Sequence, residues 1–170
     1  VLNLAKESVV LLAEAMHDLG DQFAIHGFTS NGRRDVTYYR FKDFDQEYNR
    51  GAKALLAGAT PQLSTRMGPA IRHAGQLLRF QSAERKLLLM LTDGEPSDID
   101  VADRNYLIHD AKKAVDGLAH YGVHSFCLSL DPKADRYVNR IFGAKNYLVV
   151  DRLSSLPEKL PFIYMQVTQH

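Results

Sequence analysis

The side chains best spaced for chemistry lie at 92–100, where TDGEPSDID follows the aliphatic run 87–91. Asp93 ends the apolar run, and Glu95, Asp98 and Asp100 follow closely. Two uses fit this pattern. In the first, Asp-Gly simply ends a strand in a turn, and an Asp caps the next helix. In the second, oxygens at a strand end hold a hard cation such as Mg2+, which takes oxygen ligands in octahedral geometry and keeps several waters. Another polar group stands in PQLSTRMG, residues 61–68, with Ser64 and Thr65 just before a helical pattern.

Other chemistries fail on the residues. Phosphatases of the haloacid-dehalogenase type end a buried strand on Asp-x-Asp-Gly and attack phosphorus with the first Asp. That position here is Leu91, which carries no nucleophile. No G-x-x-x-x-G-K-[ST] stretch occurs, so ATP is not bound through a phosphate loop. The seven histidines show no metal-ligand spacing and read as satisfied or surface residues. Cys127, the only cysteine, excludes an internal disulfide and a cysteine-built zinc cluster, and its strand setting predicts an inert buried thiol. A chain without disulfides fits a reducing compartment, and the expected location is cytoplasmic. The YYRF stretch at 38–41 reads either as an aromatic binding surface or as edge-strand packing. Arg33 and Arg34 read as solvated residues at a turn.

The elements that must position Asp93 and Thr65 alternate along the chain. Apolar spacing predicts helices over 2–19, 44–59, 67–80, 107–118, 134–143 and 161–167. Strands are predicted within 21–30, 36–44, 85–92, 121–131 and 145–151, the first two joined by an Asn-Gly turn as a hairpin. Strands alternating with helices give an α/β fold, a Rossmann-like doubly wound and mostly parallel sheet covered on both faces. The hairpin adds one antiparallel edge strand. Ligands of such sheets sit outside the carboxyl ends of the strands, where Asp93 and Thr65 are both expected to open.

The totals agree with one domain. The 170 residues are 45% hydrophobic and 24% charged, with 21 basic and 20 acidic side chains. A net charge of +1 leaves no basic excess for a nucleic-acid backbone. The longest aliphatic run, 87–91, is too short to span a bilayer. The chain starts at Val1 inside a helical pattern, so a natural start upstream is expected.

LLLMLTDGEPSD resembles the third metal loop of a von Willebrand factor A domain, and LSTRMGPAIRHA resembles its second loop, Thr-x-x-Gly-x-Ala at a helix start. Order and spacing match, and the resemblance covers residues 1–170 as one such domain. More narrowly, FAIHGFTSNGRRDVTYYRFKDFD, LSTRMG, LTDGEPSDIDV, FCLSLDP and YVNRIFGAKNYLVVD are similar to the carboxyl-terminal domain of the CbbO/NorD family. The resemblance implies a metal-ion-dependent adhesion site with Thr65 and Asp93 as ligands to Mg2+ or Mn2+. A partner's Asp or Glu would complete the coordination, and Ser64, Glu95 and Asp98 would border the contact. The family's first loop, Asp-x-Ser-x-Ser at the end of the first, central strand, does not occur in the chain. The expectations are therefore an absent first strand and weak or no metal binding.

What the resemblance implies about function is a non-enzymatic adaptor that works with a MoxR-type AAA+ ATPase, CbbQ or NorQ. It would grip either rubisco or nitric oxide reductase. Rubisco is favoured here, because a metal-dependent grip on an exposed acid explains that task simply. A metal-dependent phosphohydrolase and a scaffold with a decayed metal site remain as alternatives.

Overall fold

The computed structural model describes residues 2–30, 32, 34, 36–57, 66–97 and 102–168. The elements run α1 (Leu2–Asp18), β1 (Ile25–Ser30), β2 (Val36–Lys42), α2 (Arg50–Ala57), α3 (Met67–Arg79), β3 (Lys86–Thr92), α4 (Arg104–Ala119), β4 (Val123–Ser129), α5 (Val138–Phe142), β5 (Tyr147–Val149) and α6 (Leu156–Thr168). Strands β3, β4 and β5 form a parallel sheet in that order, with Met90 opposite Cys127 and Cys127 opposite Tyr147.

Alternation along the strands sorts two cores. Leu88 and Met90 of β3, with Val123 and Cys127 of β4, face α3, α4 and α5 through Met67, Ile71, Ile108, Ala111 and Ile141. The residues between them, Leu87, Leu89, Leu91, Phe126 and Leu128, face α1 and α6 through Leu12, Leu156, Leu160 and Ile163. This period of two on a strand, with helices on either side, makes the sheet doubly wound.

The hairpin departs from the simplest expectation. β1 and β2 pair antiparallel but make a two-stranded sheet of their own, separate from β3-β4-β5. It leans on the main body through α3. Phe28 packs against the core beneath α3, the Arg66 backbone N–H donates to Ser30 Oγ at 3.2 Å, and the Tyr38 ring meets His73 edge-on at 4.2 Å. Among the described residues no strand pairs with the outer edge of β3, and its leucines are only half-buried, whereas Phe126, Cys127 and Leu128 of β4 are fully covered.

Three expected helices differ, and the first, expected over 44–59, begins as α2 only at Arg50. The stretch 134–143 splits into a one-turn 3-10 helix, Ala134–Arg136, and α5. The last helix starts at Leu156, five residues before the expected position, and carries Pro161 inside it. Pro161 faces solvent while Leu156, Leu160 and Ile163 are all fully buried, so burial at helical spacing outweighs one lost backbone hydrogen bond.

α3 and α4 pack closely because α3 presents Gly68 and Gly75, a spacing of two turns. A Cβ at Gly75 would run into Leu118 from its Cγ outward, and one at Gly68 would meet the Asp110 carboxylate. Arg72 then clips Asp110 across the same contact at 2.8 Å. Alanine favours a helix over glycine by about 1 kcal/mol, but here it overpacks a closed contact, at a cost of about 1–3 kcal/mol. Gly75→Val is expected to lower unfolding stability by more than Gly75→Ala, and both to lower it, as read from urea midpoints; a Gly75→Val protein as stable as the parent would show that the contact is not tight.

Candidate functional site

The carboxyl end of β3 is set by Thr92. Its hydroxyl is nearly buried, donates to the Gly94 carbonyl at 2.9 Å and accepts from the Gly94 N–H at 3.4 Å. That turn directs the chain out of the sheet and leaves Asp93 exposed. Among the described residues the Asp93 carboxylate has no hydrogen-bond or ionic partner. Gly94 has a negative φ, and a Cβ there would meet nothing within 4 Å, so neither strain nor crowding calls for glycine beside Asp93.

The acidic stretch after Asp93 is only partly free. Glu95 is engaged by Arg104 Nη1 at 3.1 Å, and Asp103 caps α4 by accepting from the Asn105 N–H at 3.0 Å. Asp98 and Asp100 lie outside the described residues, as do Ser64 and Thr65. Arg66, the neighbour of Thr65, is the N-cap of α3, with no side chain capping the helix. α3 and β3 are joined by a short turn and are similar in length, about 20 Å each. The start of α3 and the end of β3 therefore lie at the same end of the molecule, and Arg66 with them.

One residue at that end escaped the sequence reading. Ser30, at the carboxyl end of β1, is 2% exposed and joins the backbone of Arg66. Its signal was a strand ending on a hydroxyl before Asn-Gly, which is a pattern shared with ordinary hairpins. On β4 the corresponding position is Ser129, which accepts from the Asp131 N–H at 3.2 Å. Asp131 in turn accepts from Tyr137 Oη at 2.9 Å and from the Lys133 N–H at 2.9 Å, so both of its oxygens serve the loop. These groups read as structure.

Among the described residues no three His, Cys, Asp or Glu side chains come together as a metal cage. Asp93 offers one unencumbered carboxylate, where a hard cation takes several oxygen ligands. Cys127 is fully buried, and burial pushes its thiol up to about 12, which fits an inert core residue. No described helix is long and apolar enough to cross a membrane.

Two of the histidines have side-chain hydrogen-bond partners. His124 Nε2 pairs with Asn146 Oδ1 at 3.0 Å. His26 sits between Tyr38 Oη, 2.9 Å from Nδ1, and Asp43 Oδ1, 3.0 Å from Nε2. Tyr38 thus belongs to hairpin packing, the second of the two readings of YYRF. Burial lowers the pKa of His26, and this outweighs the opposing pull of Asp43.

No protein-family model matches the chain. The chain is 38% identical over 167 residues to an uncharacterized protein of Pseudomonas aeruginosa, covering 98% of this chain and 27% of that protein. It is 37% identical over 164 residues to the protein NorD of Brucella melitensis, covering 96% and 26%. With NorD of Stutzerimonas stutzeri the identity is 35% over 150 residues, covering 88% and 24%. The chain thus spans about a quarter of the length of these relatives. Among solved structures, proximal thread matrix protein 1 from the mussel byssus superposes with a TM-score of 0.61 at 16% identity, over 95% of this chain and 41% of that one. The same mussel protein with a zinc-occupied adhesion-site motif gives 0.56 at 18% identity, over 93% and 42%. The class is therefore an α/β domain with the von Willebrand factor A fold. Its sequence relatives include the NorD proteins.

A lowered histidine pKa has a definite sign. The folded chain prefers neutral His26, so its contribution is fully present above the unfolded value, about 6.5, and is lost as pH falls through the lower folded value. Stability should fall between pH 7 and pH 5 in the parent, and His26→Gln should flatten that part of the slope, as followed by urea midpoints. An unchanged slope in the variant would assign the pH dependence to other groups.

Proposed function

We propose that this chain is the protein-binding domain of an accessory factor of the NorD type, and that it grips a target through the end of β3 that carries Asp93. The observation that carries this reading is the likeness to NorD over 96% of the chain. The free carboxylate at the end of β3 supports it. Since curated relatives bear the name NorD, nitric oxide reductase replaces rubisco as the favoured target. The motor partner remains a MoxR-type AAA+ ATPase of the NorQ kind.

Asp93 contributes one carboxylate oxygen and Thr65 a hydroxyl. Thr92 and Gly94 fix the turn that presents Asp93, and the open space over Gly94 admits an incoming side chain. When bound, Mg2+ or Mn2+ supplies a positive charge with an open position for an Asp or Glu of the target. Ser64, Glu95 and Asp98 would border that contact, with Glu95 held back by Arg104. The remaining ligands would come from a strand beside the outer edge of β3, with which no described strand pairs. A phosphohydrolase has less support, because Leu91 packs into the core toward α1 and α6 where that chemistry needs a carboxylate.

The test uses a protein of the relatives' full length, with its ATPase and with nitric oxide reductase, in a pull-down with Mg2+ or with EDTA. Capture is expected in Mg2+ and lost in EDTA, and Asp93→Ala and Thr65→Ala are each expected to weaken it at least about tenfold, the range of a lost interface hot spot. Melting temperatures should stay within the scatter of surface substitutions. Capture that persists in EDTA and in both variants would point to the scaffold reading.

A further inference from the structure

The opposite end of the main sheet carries a surface that the Asp93 reading does not use. The turn from α3 into β3 and the turn from α4 into β4 meet there. Phe80 is 72% exposed and Tyr121 53% exposed. Between them stands Arg79, its guanidinium 3.7 Å from the Tyr121 ring centroid and 5.9 Å from that of Phe80. Single exposed aromatics are ordinary. Two of them around one stacked guanidinium form a preorganised group, and Arg and Tyr are the residues that dominate protein–protein hot spots.

The charge around this group is one-sided. Arg85 and Lys86 share its turn, Lys86 Nζ donates to the Arg79 carbonyl at 2.9 Å, and the turn holds a single acid, Glu84. Among the described residues neither Arg79 nor Arg85 is paired with a carboxylate. Three cations are fewer than the clusters of four to eight that read as membrane-binding. A net charge of +1 also disfavours a nucleic acid.

We propose that Arg79, Phe80 and Tyr121, with Arg85 and Lys86, form a second docking surface, and that its occupant is an acidic protein segment carrying an apolar or aromatic anchor. The carboxylates meet Arg79 and Arg85, which have no carboxylate partner among the described residues, and the anchor lies on the exposed Phe80 ring beside the Arg79–Tyr121 stack. Such a contact needs no cation and stands or falls independently of the Asp93 end.

The experiment titrates the 170-residue chain with a short Glu-rich peptide carrying one phenylalanine, followed by amide chemical shifts and fluorescence anisotropy. Saturable binding is expected, with shifts confined to 79–86 and 119–123. EDTA should have no effect, and Phe80→Ala and Arg79→Ala should each weaken binding about tenfold while thermal melts confirm folding. Equal affinity for the peptide with Gln in place of Glu would overturn the proposal. So would shifts centred on Asp93, affinity unchanged in both variants, or binding to phosphatidylserine vesicles without binding to the peptide.

Discussion

A parallel strand needs cover on two faces and a partner on each edge, and β3 receives only part of this. Its two faces feed two separate cores, and β4 satisfies one edge along its whole length. The other edge and the half-buried leucines mark where the sheet divides. A backbone group left unpaired and removed from water costs on the order of 1–3 kcal/mol, so among the described residues the outer edge of β3 is the place where the sheet lacks a partner. The hairpin, which would otherwise continue the sheet, is held by α3 through Phe28, Ser30 and Tyr38. Placing Asp93 depends on the same strand, because the strand that leaves its outer edge open also carries that carboxylate out of the sheet.

α3 links the two halves. It packs on α4 through glycines, on the hairpin through His73 and Arg66, and on the sheet through Met67 and Ile71. The Thr-x-x-Gly-x-Ala pattern thus has a structural component apart from any ligand. Gly68 lets Asp110 approach, and Ala70 is almost fully buried. A residue pattern of this kind can persist for packing alone, which is why Thr65, and not the glycine or alanine, separates the metal reading from the scaffold reading.

Most of the order of elements was legible in the sequence because periodicity is strong where burial is strong. The α3-β3-α4-β4 stretch came within a few residues of the structure, since Ile71, Met90, Leu107, Phe126 and their neighbours are buried at the spacing of their own element. The start of α6 was placed at Pro161, five residues late, although Pro157 falls in the first turn of the helix, where the missing N–H costs nothing. The split at 134–143 was hidden too. Tyr137 Oη bonds to Asp131, an interaction across a loop that no periodicity encodes. The separation of the hairpin from the main sheet follows from pairing between distant strands, which a local pattern shows only as an expectation of something missing.

The site was legible to a different degree. That Asp93 ends a buried strand followed from five aliphatic residues and a turn pair; that its carboxylate is unpaired did not, because Glu95 and Asp103 in the same loop are each taken up by local contacts. Of the carboxylates placed at this end, Asp131 and Asp135 are also occupied, by Tyr137 and Tyr147. Among the described acids of these loops, Glu95, Asp103, Asp131 and Asp135 are internally satisfied and Asp93 is not, beside a glycine that no backbone strain requires. Local pairing of this kind sets the Asp93 end apart from the opposite end, where among the described residues Arg79 and Arg85 have no carboxylate partner and Arg79 stacks on Tyr121 instead.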